Sequence, residues 1–124
     1  MADRELLMLL RFGGWDHWRK ENPGLAIILD GATLDRLRLT DINLSGISLR
    51  GASLHGTNLF NADLSRADLT DANLAEANLI SANLEGAILR GATLRGADLL
   101  LARLENAQYS PEDLAGALHV PASE

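Results

Sequence analysis

The chain has 124 residues, which suits one domain with a single core, and its hydrophobic content of 47% favours a folded protein. Only 4% of the residues are aromatic, so the core must be aliphatic, and the absence of cysteine excludes disulfide bonds, thiolate metal sites and cysteine nucleophiles. The net charge of −6 argues against binding to bare nucleic acid, whose phosphates require a basic patch.

Residues 1–26 are predicted to form two short helices. The first helix has an apolar face made by Leu6, Leu9 and Leu10, and Gly13 and Gly14 end it. Trp15 and Trp18 lie one turn apart on the second helix, which ends before Pro23. The apolar run of residues 6–10 is too short for the core of a signal peptide, and no stretch is long enough to span a membrane. We therefore expect a cytoplasmic location and no membrane partner.

Leucine recurs at every fifth position of the segment that follows. The series comprises Leu29, Leu34, Leu39, Leu44, Leu49, Leu54, Leu59, Leu64, Leu69, Leu74, Leu79, Leu84, Leu89, Leu94, Leu99 and Leu104. In an α-helix this spacing would scatter the side chains around the cylinder, and in a β-strand it would alternate them between two faces. Neither regular structure would give these leucines a common environment.

A backbone that turns by about 90° every five residues would place each Leu inside a square coil of twenty residues. Ala is common two residues before the Leu, where side chains converge on a narrow axis. Gly is common two residues after it, where a type II corner requires positive φ. The ten central leucines, from Leu49 to Leu94 in steps of five, are predicted to form the structural core.

The repeated unit Ala-(Asp/Asn)-Leu-x-x resembles the pentapeptide-repeat family. The resemblance covers Ile27 to about Pro111, with sixteen Leu-centred units from Ile27 to Asn106. It implies an all-β fold, a right-handed quadrilateral β-helix of about four coils over residues 27–109. The segment WDHWRKENP is similar to the leader that precedes the repeats in many cyanobacterial members.

The two ends of such a solenoid need caps, because they would otherwise expose apolar core and unpaired backbone. Residues 1–26 and 110–124 are predicted to provide short α-helical caps. Large residues occupy the inward Ala slot near the N-terminal end, which indicates a wider or plugged axis there: Ile27, Leu37, Ile42 and Ile47. The C-terminal helix is predicted to use Ser110 as N-cap, Pro111 as first residue, Asp113 for the return bond, and Leu114 and Leu118 to cover the last coil.

No residue pattern indicates catalysis, a cofactor site or a metal site. His17, His55 and His119 lie in the leader, on the coil surface and in the tail, with no spacing that brings them together. Trp15 and Trp18 could stack on a ligand, but core residues of the cap are the better interpretation. The column Asn58, Asn78 and Asp98 could accept a cation, and a solvated ladder with amide cross-bonds is the alternative.

One face of the solenoid is predicted to be apolar. Residues twenty apart stack in columns, and the column directly after the inward Leu on one side contains Thr40, Phe60, Ile80 and Leu100, with Leu101 beside the last. A contiguous apolar stripe usually marks an interaction surface. It could bind a protein partner or a second copy of the chain, be covered by the N-terminal helices, or have no role.

Two functions follow. The first is a non-enzymatic protein-interaction or scaffold module, and the resemblance adds that some cyanobacterial members act in developmental regulation through protein contacts. The alternative, implied by the resemblance alone, is a DNA mimic that modulates type II topoisomerase (gyrase). Residues 27–106 contain seven Arg against ten acidic residues, a net charge of −3, so the repeats are too short and too neutral for a DNA mimic. No nucleic acid and no small-molecule substrate is expected.

Overall fold

The computed structural model of the chain describes residues 3–122. Two α-helices, α1 (Arg4–Phe12) and α2 (Trp15–Glu21), precede the repeats, and a 3-10 helix (Pro111–Leu114) follows them. The carboxylate of Asp3 caps α1 by accepting the backbone N–H of Glu5 at 2.8 Å. No helix within residues 3–122 has the length and apolar character needed to cross a membrane.

The repeats form a β-helix in which residues twenty positions apart pair in parallel. The pairs begin at Ile28 with Ser48 and recur every five residues, so one turn takes twenty residues and contains four paired positions. Each pair is an isolated bridge rather than part of a longer strand. The backbone N–H groups of fourteen of the sixteen inward leucines donate to the coil below, as Leu69 does to the carbonyl of Ile88 at 2.8 Å.

Every five-residue unit ends in a tight corner. In fifteen of the sixteen units the carbonyl of the inward Leu accepts the N–H of the residue three positions later, as Leu69 does from Ala72 at 3.0 Å. The residue two positions after each of the sixteen leucines has a φ between 58° and 76°, and seven of these sixteen residues are Gly. Positive φ at this one position is the geometry of the type II corner that the sequence predicts.

The core consists of the Leu and Ala columns on the solenoid axis. Each of the ten leucines from Leu49 to Leu94 is at most 1% exposed. Burial contributes roughly 1.5–3 kcal/mol for each such Leu before the loss of entropy is subtracted. The larger residues Ile27, Ile42 and Ile47 are buried at the N-terminal end, in the same cluster as Leu10 of α1 and Trp15 of α2.

Side chains of α2 bond the exposed backbone of the first coil. Trp15 Nε1 donates to the carbonyl of Asn43 at 2.7 Å, and Arg19 donates to the carbonyls of Asn43 and Ser45 at 3.2 and 3.0 Å. The carboxylate of Asp16 accepts the N–H of Asn43 at 3.0 Å. In later coils these backbone groups pair with a neighbouring coil, so α2 supplies the bonds that a preceding coil would otherwise make.

The C-terminal end differs from the predicted α-helical cap. It contains only the four-residue 3-10 helix, in which Asp113 accepts the backbone N–H of Ser110 at 2.9 Å as the sequence predicts. Leu114 packs against the core, but Leu118 is 48% exposed and does not cover the last coil. The reason is that Leu118 pairs with Asp98, in a column that points outward.

Candidate protein-interaction surface

The apolar stripe consists of Phe60, Ile80, Leu100 and Leu101, which lie on one face of three successive coils. Side chains of the preceding column fix its backbone. The N–H groups of Phe60, Ile80 and Leu100 donate to Oδ1 of Asn58, Asn78 and Asp98 at 3.0, 3.0 and 3.1 Å. Local hydrogen bonds therefore fix the backbone positions of Phe60, Ile80 and Leu100.

The carbonyl groups of the same residues bond the coil above. Those of Phe60, Ile80 and Leu100 accept the N–H groups of Asp41, Asn61 and Ser81, all at 2.9 Å. With both backbone groups paired, the stripe is a pre-organised surface rather than a loop, and a partner would not have to order its backbone on binding.

The stripe is exposed with α1 and α2 in place. Phe60 is 40% exposed, Leu100 42% and Leu101 72%, and Ile80 is half-buried between its neighbours. The hydrogen bonds from the two helices to the coils go to Thr33, Asn43 and Ser45, which lie outside the stripe column.

One further apolar residue extends this face, and the sequence analysis assigned it to the capping helix instead. Leu118, beside Asp98, continues the column that precedes the stripe and is 48% exposed. The twenty-residue register was the available signal, because residue 118 follows residue 98 by one full turn. The assignment of this segment to a capping helix concealed it.

Leu101 occupies a corner position and is the most exposed residue of the apolar stripe. Its φ of 61° is shared by the other corner residues, including Arg66, Glu76 and Ser81, so its backbone does not set it apart. Its side chain does, because the other fifteen corner residues are Gly or polar. A large apolar side chain that gains nothing from burial within the chain favours a role in contact with another molecule.

The Asn and Asp residues before the inward leucines bond the backbone within their own coil, where the sequence analysis expected amide cross-bonds between coils. In the column Asn58, Asn78 and Asp98, each Oδ1 accepts the backbone N–H two residues later in its own coil. These side chains are therefore selected for a structural hydrogen bond, and not only because their slot faces outward. Within residues 3–122 no group of three His, Asp or Glu side chains is placed to hold a metal ion.

The three histidines lie in separate environments. His17 contacts Glu21 one turn along α2 at 3.0 Å, and both side chains are exposed. The ring of His119 lies 2.9 Å from Asp98. His55 uses its backbone N–H to bond Asp35 at 3.0 Å. None of the three lies beside a nucleophile within hydrogen-bond distance, so no catalytic arrangement is built from them in the described part of the chain.

Open clefts lie at the two ends of the solenoid. The one at the C-terminal end measures about 730 Å³ and is lined by residues that include Leu104, Tyr109 and Pro121. The one beside α1 measures about 510 Å³, and Trp18 contributes to its wall. Trp15, 5.7 Å from Trp18 between ring centroids, is only 2% exposed and is a core residue rather than a stacking platform for a ligand.

The repeated segment is similar to a known protein family and to solved structures. The family model described as "Pentapeptide repeats" matches residues 27–66, 38–74 and 67–107, with eight copies. The crystal structure of alr5209, a pentapeptide repeat protein from Nostoc PCC 7120, shares 31% identity over 83% of this chain and 90% of that chain, with a TM-score of 0.66.

Two other solved structures superpose less well. Rfr23, a pentapeptide repeat protein from the cyanobacterium Cyanothece 51142, is 35% identical over 78% of this chain and 67% of its own, with a TM-score of 0.38. QnrB1, a plasmid-mediated fluoroquinolone resistance protein, is 19% identical over 74% of this chain and 65% of its own, with a TM-score of 0.31. No match was found among curated proteins.

Proposed function

The chain belongs to the pentapeptide-repeat family, and from that premise we propose that it is a non-enzymatic protein-interaction module that binds a protein through the apolar stripe. The proposal includes a right-handed quadrilateral β-helix of about four coils over residues 27–109. Residues 1–26 and 110–124, of which residues 3–26 and 110–122 are described by the structure, are proposed as its end caps, and its location as cytoplasmic.

The observation that carries the proposal is the apolar row of Phe60, Ile80, Leu100 and Leu101, in which Ile80 is half-buried and the other three residues are exposed. The backbone groups of Phe60, Ile80 and Leu100 are all paired. Large apolar side chains exposed in a row, rather than singly, usually mark a contact surface. Phe60 offers an aromatic anchor near the middle of the face, the type of residue that often dominates binding energy. The corresponding columns of the other three sides are largely polar, so the partner would bind one side of the solenoid.

The DNA-mimic alternative has weaker support. A mimic of duplex DNA needs a long surface of one charge, since DNA carries one charge per roughly 1.7 Å of its axis. Arg50, Arg90 and Arg95 interrupt the acidic residues of this solenoid. A supercoiling assay with purified gyrase tests the alternative, and potent inhibition by the chain would favour it over our proposal.

The experiment for the interaction module compares three forms of the chain as immobilised bait: wild type, Phe60→Glu/Ile80→Glu, and Thr70→Glu. Thr70 occupies the same slot after an inward Leu on another side, so it controls for added charge. Circular dichroism first establishes that all three forms are folded. A partner retained by wild type and by Thr70→Glu, and lost from the double variant, supports the proposal. Equal capture by all three contradicts it.

The cytoplasmic location is tested separately. Cell fractionation with an antibody to the chain should recover it with cytoplasmic marker proteins. Recovery with the membrane fraction or with an exported fraction would contradict that part of the proposal.

A further inference from the structure

The column beside the apolar stripe carries two opposite charges that are three coils apart. Bridges connect Arg38 to Asn58, Asn58 to Asn78, and Asn78 to Asp98, so these four residues form one row along the solenoid. Arg38 is exposed at the N-terminal end of the row, and no ion pair to it occurs among the described residues. Asp98 lies three coils away, with neutral amides between the two charges, and its carboxylate also contacts the ring of His119 at 2.9 Å. Leu118 follows Asp98 in the same row.

Such a row is complementary to itself when it is reversed. A two-fold axis that lies between the second and third coils, across the solenoid, would place each column against the same column of a second copy running in the opposite direction. Arg38 would then face Asp98 of the second copy, and Asn58 would face its Asn78. In the neighbouring column Phe60 would face Ile80 of the second copy, and the symmetry makes each contact twice.

We propose that the apolar stripe binds a second copy of this chain in this antiparallel, two-fold arrangement. The inference rests on the proposed function, since it names the partner of the same surface. The Phe60–Ile80 contacts supply the apolar centre, and the two Arg38–Asp98 contacts at its ends set the direction and the register.

The parallel arrangement fits the same face less well. A two-fold axis along the middle of the face exchanges the columns on either side of the inward Leu, so Phe60 would face Asn58 of the second copy and Ile80 would face its Asn78. Leu100 would face the charge of Asp98, whereas in the antiparallel arrangement Leu100 faces Thr40 of the second copy and the exposed corner residue Leu101 lies opposite Asp41. If one copy were shifted sideways in the parallel arrangement until the two apolar stripes met, Arg38 would approach Asp41 of the second copy. Only part of each face would then overlap.

The size of the face sets the strength of association. Four coils at about 4.8 Å each make a face roughly 20 Å tall. An interface of this size lies below about 1,200 Å² of total buried area, in the range of weak and transient complexes. We therefore expect a dimer with micromolar affinity, which must be sought at high protein concentration and low salt.

Charge exchange tests the arrangement by sedimentation equilibrium. Asp98→Asn introduces the residue found at the equivalent position one coil earlier, where Asn78 accepts the N–H of Ile80. The variant therefore retains the hydrogen bond to the N–H of Leu100. We expect Asp98→Asn and Arg38→Gln each to weaken the dimer by about 2- to 30-fold, because each removes two exposed ion pairs. The exchanged variant Arg38→Asp/Asp98→Arg should recover most of the wild-type affinity, whereas each of its single substitutions should abolish the dimer.

Control measurements separate this inference from the proposed function. Arg38→Asp/Asp41→Arg should not recover the dimer, and recovery by that variant would overturn the antiparallel register. A wild-type chain that is monomeric at millimolar concentration, or a dimer that survives Phe60→Glu/Ile80→Glu, overturns the inference. If the monomeric chain still captures a partner that this double variant loses, self-association fails while the interaction module stands.

Discussion

The backbone N–H of Gly91 donates to a carboxylate oxygen of Asp113 at 3.1 Å, where the other corner glycines of the repeats donate to a backbone carbonyl of the next coil. The side chain of Asp113 thus accepts the hydrogen bond that a backbone carbonyl of a further coil would otherwise accept. The side chains of Asp16, Trp15 and Arg19 make the equivalent substitution at the N-terminal end. Both ends of the β-helix are closed by side chains that imitate a neighbouring backbone.

Acid is expected to loosen the C-terminal end first. The N–H of Ser110, with further bonds from its hydroxyl and from Gly91, lowers the pKa of Asp113, and the His119 ring together with the N–H of Leu100 lowers the pKa of Asp98. A lowered pKa in the folded state means that the stabilisation is complete above the unfolded value of about 3.9 and is lost as the pH falls through the folded value.

The measurement is the urea midpoint between pH 7 and pH 2.5, for wild type and for Asp113→Asn. Wild type should lose stability below about pH 4, and the variant, already weaker at pH 7, should lose less over the same interval. Parallel profiles for the two proteins would show that Asp113 does not contribute to the acid response.

Replacement of Leu101 by Gly should stabilise the fold. Its φ of 61° costs an L-residue roughly 1–2 kcal/mol, and the added chain entropy of Gly offsets part of the gain, which leaves about 0.5–1 kcal/mol. The melting temperature should rise by a few degrees. Ser81→Gly in the same corner column is the matched control and should behave alike, whereas Leu100→Gly should not stabilise. A lower melting temperature for Leu101→Gly would contradict the strain argument.

Leu69→Lys should unfold the chain. Leu69 is 0% exposed on the solenoid axis, and an unpaired charge there costs more than the whole stability of a small domain. Thr70→Lys, one residue later on the surface, removes only the hydrogen bond from Thr70 Oγ1 to Asp68 and should cost about 0.5–1.5 kcal/mol. Far-ultraviolet circular dichroism of the two variants decides the matter, and a folded Leu69→Lys variant would refute the inward assignment.

Trp15→Phe isolates the contribution of one bond between α2 and the first coil. The substitution keeps an aromatic ring in the core and removes the Nε1 donor to the carbonyl of Asn43, so we expect a loss of about 1–2 kcal/mol. Trp18→Phe, on the half-buried neighbour, should cost less. Equal costs in thermal denaturation would indicate that ring packing, not the hydrogen bond, is what Trp15 provides.

Structural features that follow the five-residue repeat could be predicted from the sequence. Features of the segments where the repeat is interrupted could not. The inward position of Leu69 and the positive φ of Gly91 follow from a five-residue rule that many units repeat. Past Tyr109 the rule weakens, since His119 occupies a Leu position, and the outward direction of Leu118 became clear only from its bridge to Asp98.

The role of Asn78 was hidden for another reason. Its sequence position indicates an outward side chain, but the backbone N–H of Ile80 that it bonds is located by the corner geometry, which the residue pattern does not specify. The candidate surface itself was visible in the sequence, because Phe60, Ile80 and Leu100 are spaced by one full turn.

The twenty-residue turn also constrains how this chain can change in length. Each unit occupies one of four paired positions, so the loss of a single unit between Phe60 and Ile80 would leave every following Leu directed inward and the core intact. The surface, however, would be rotated by a quarter turn beyond the deletion, and Ile80 would move to the side that now carries Ala75. An insertion or deletion of five residues between Phe60 and Leu100 is therefore neutral for folding but places these two residues on different sides of the solenoid. Only a change of twenty residues preserves both the fold and the shared side.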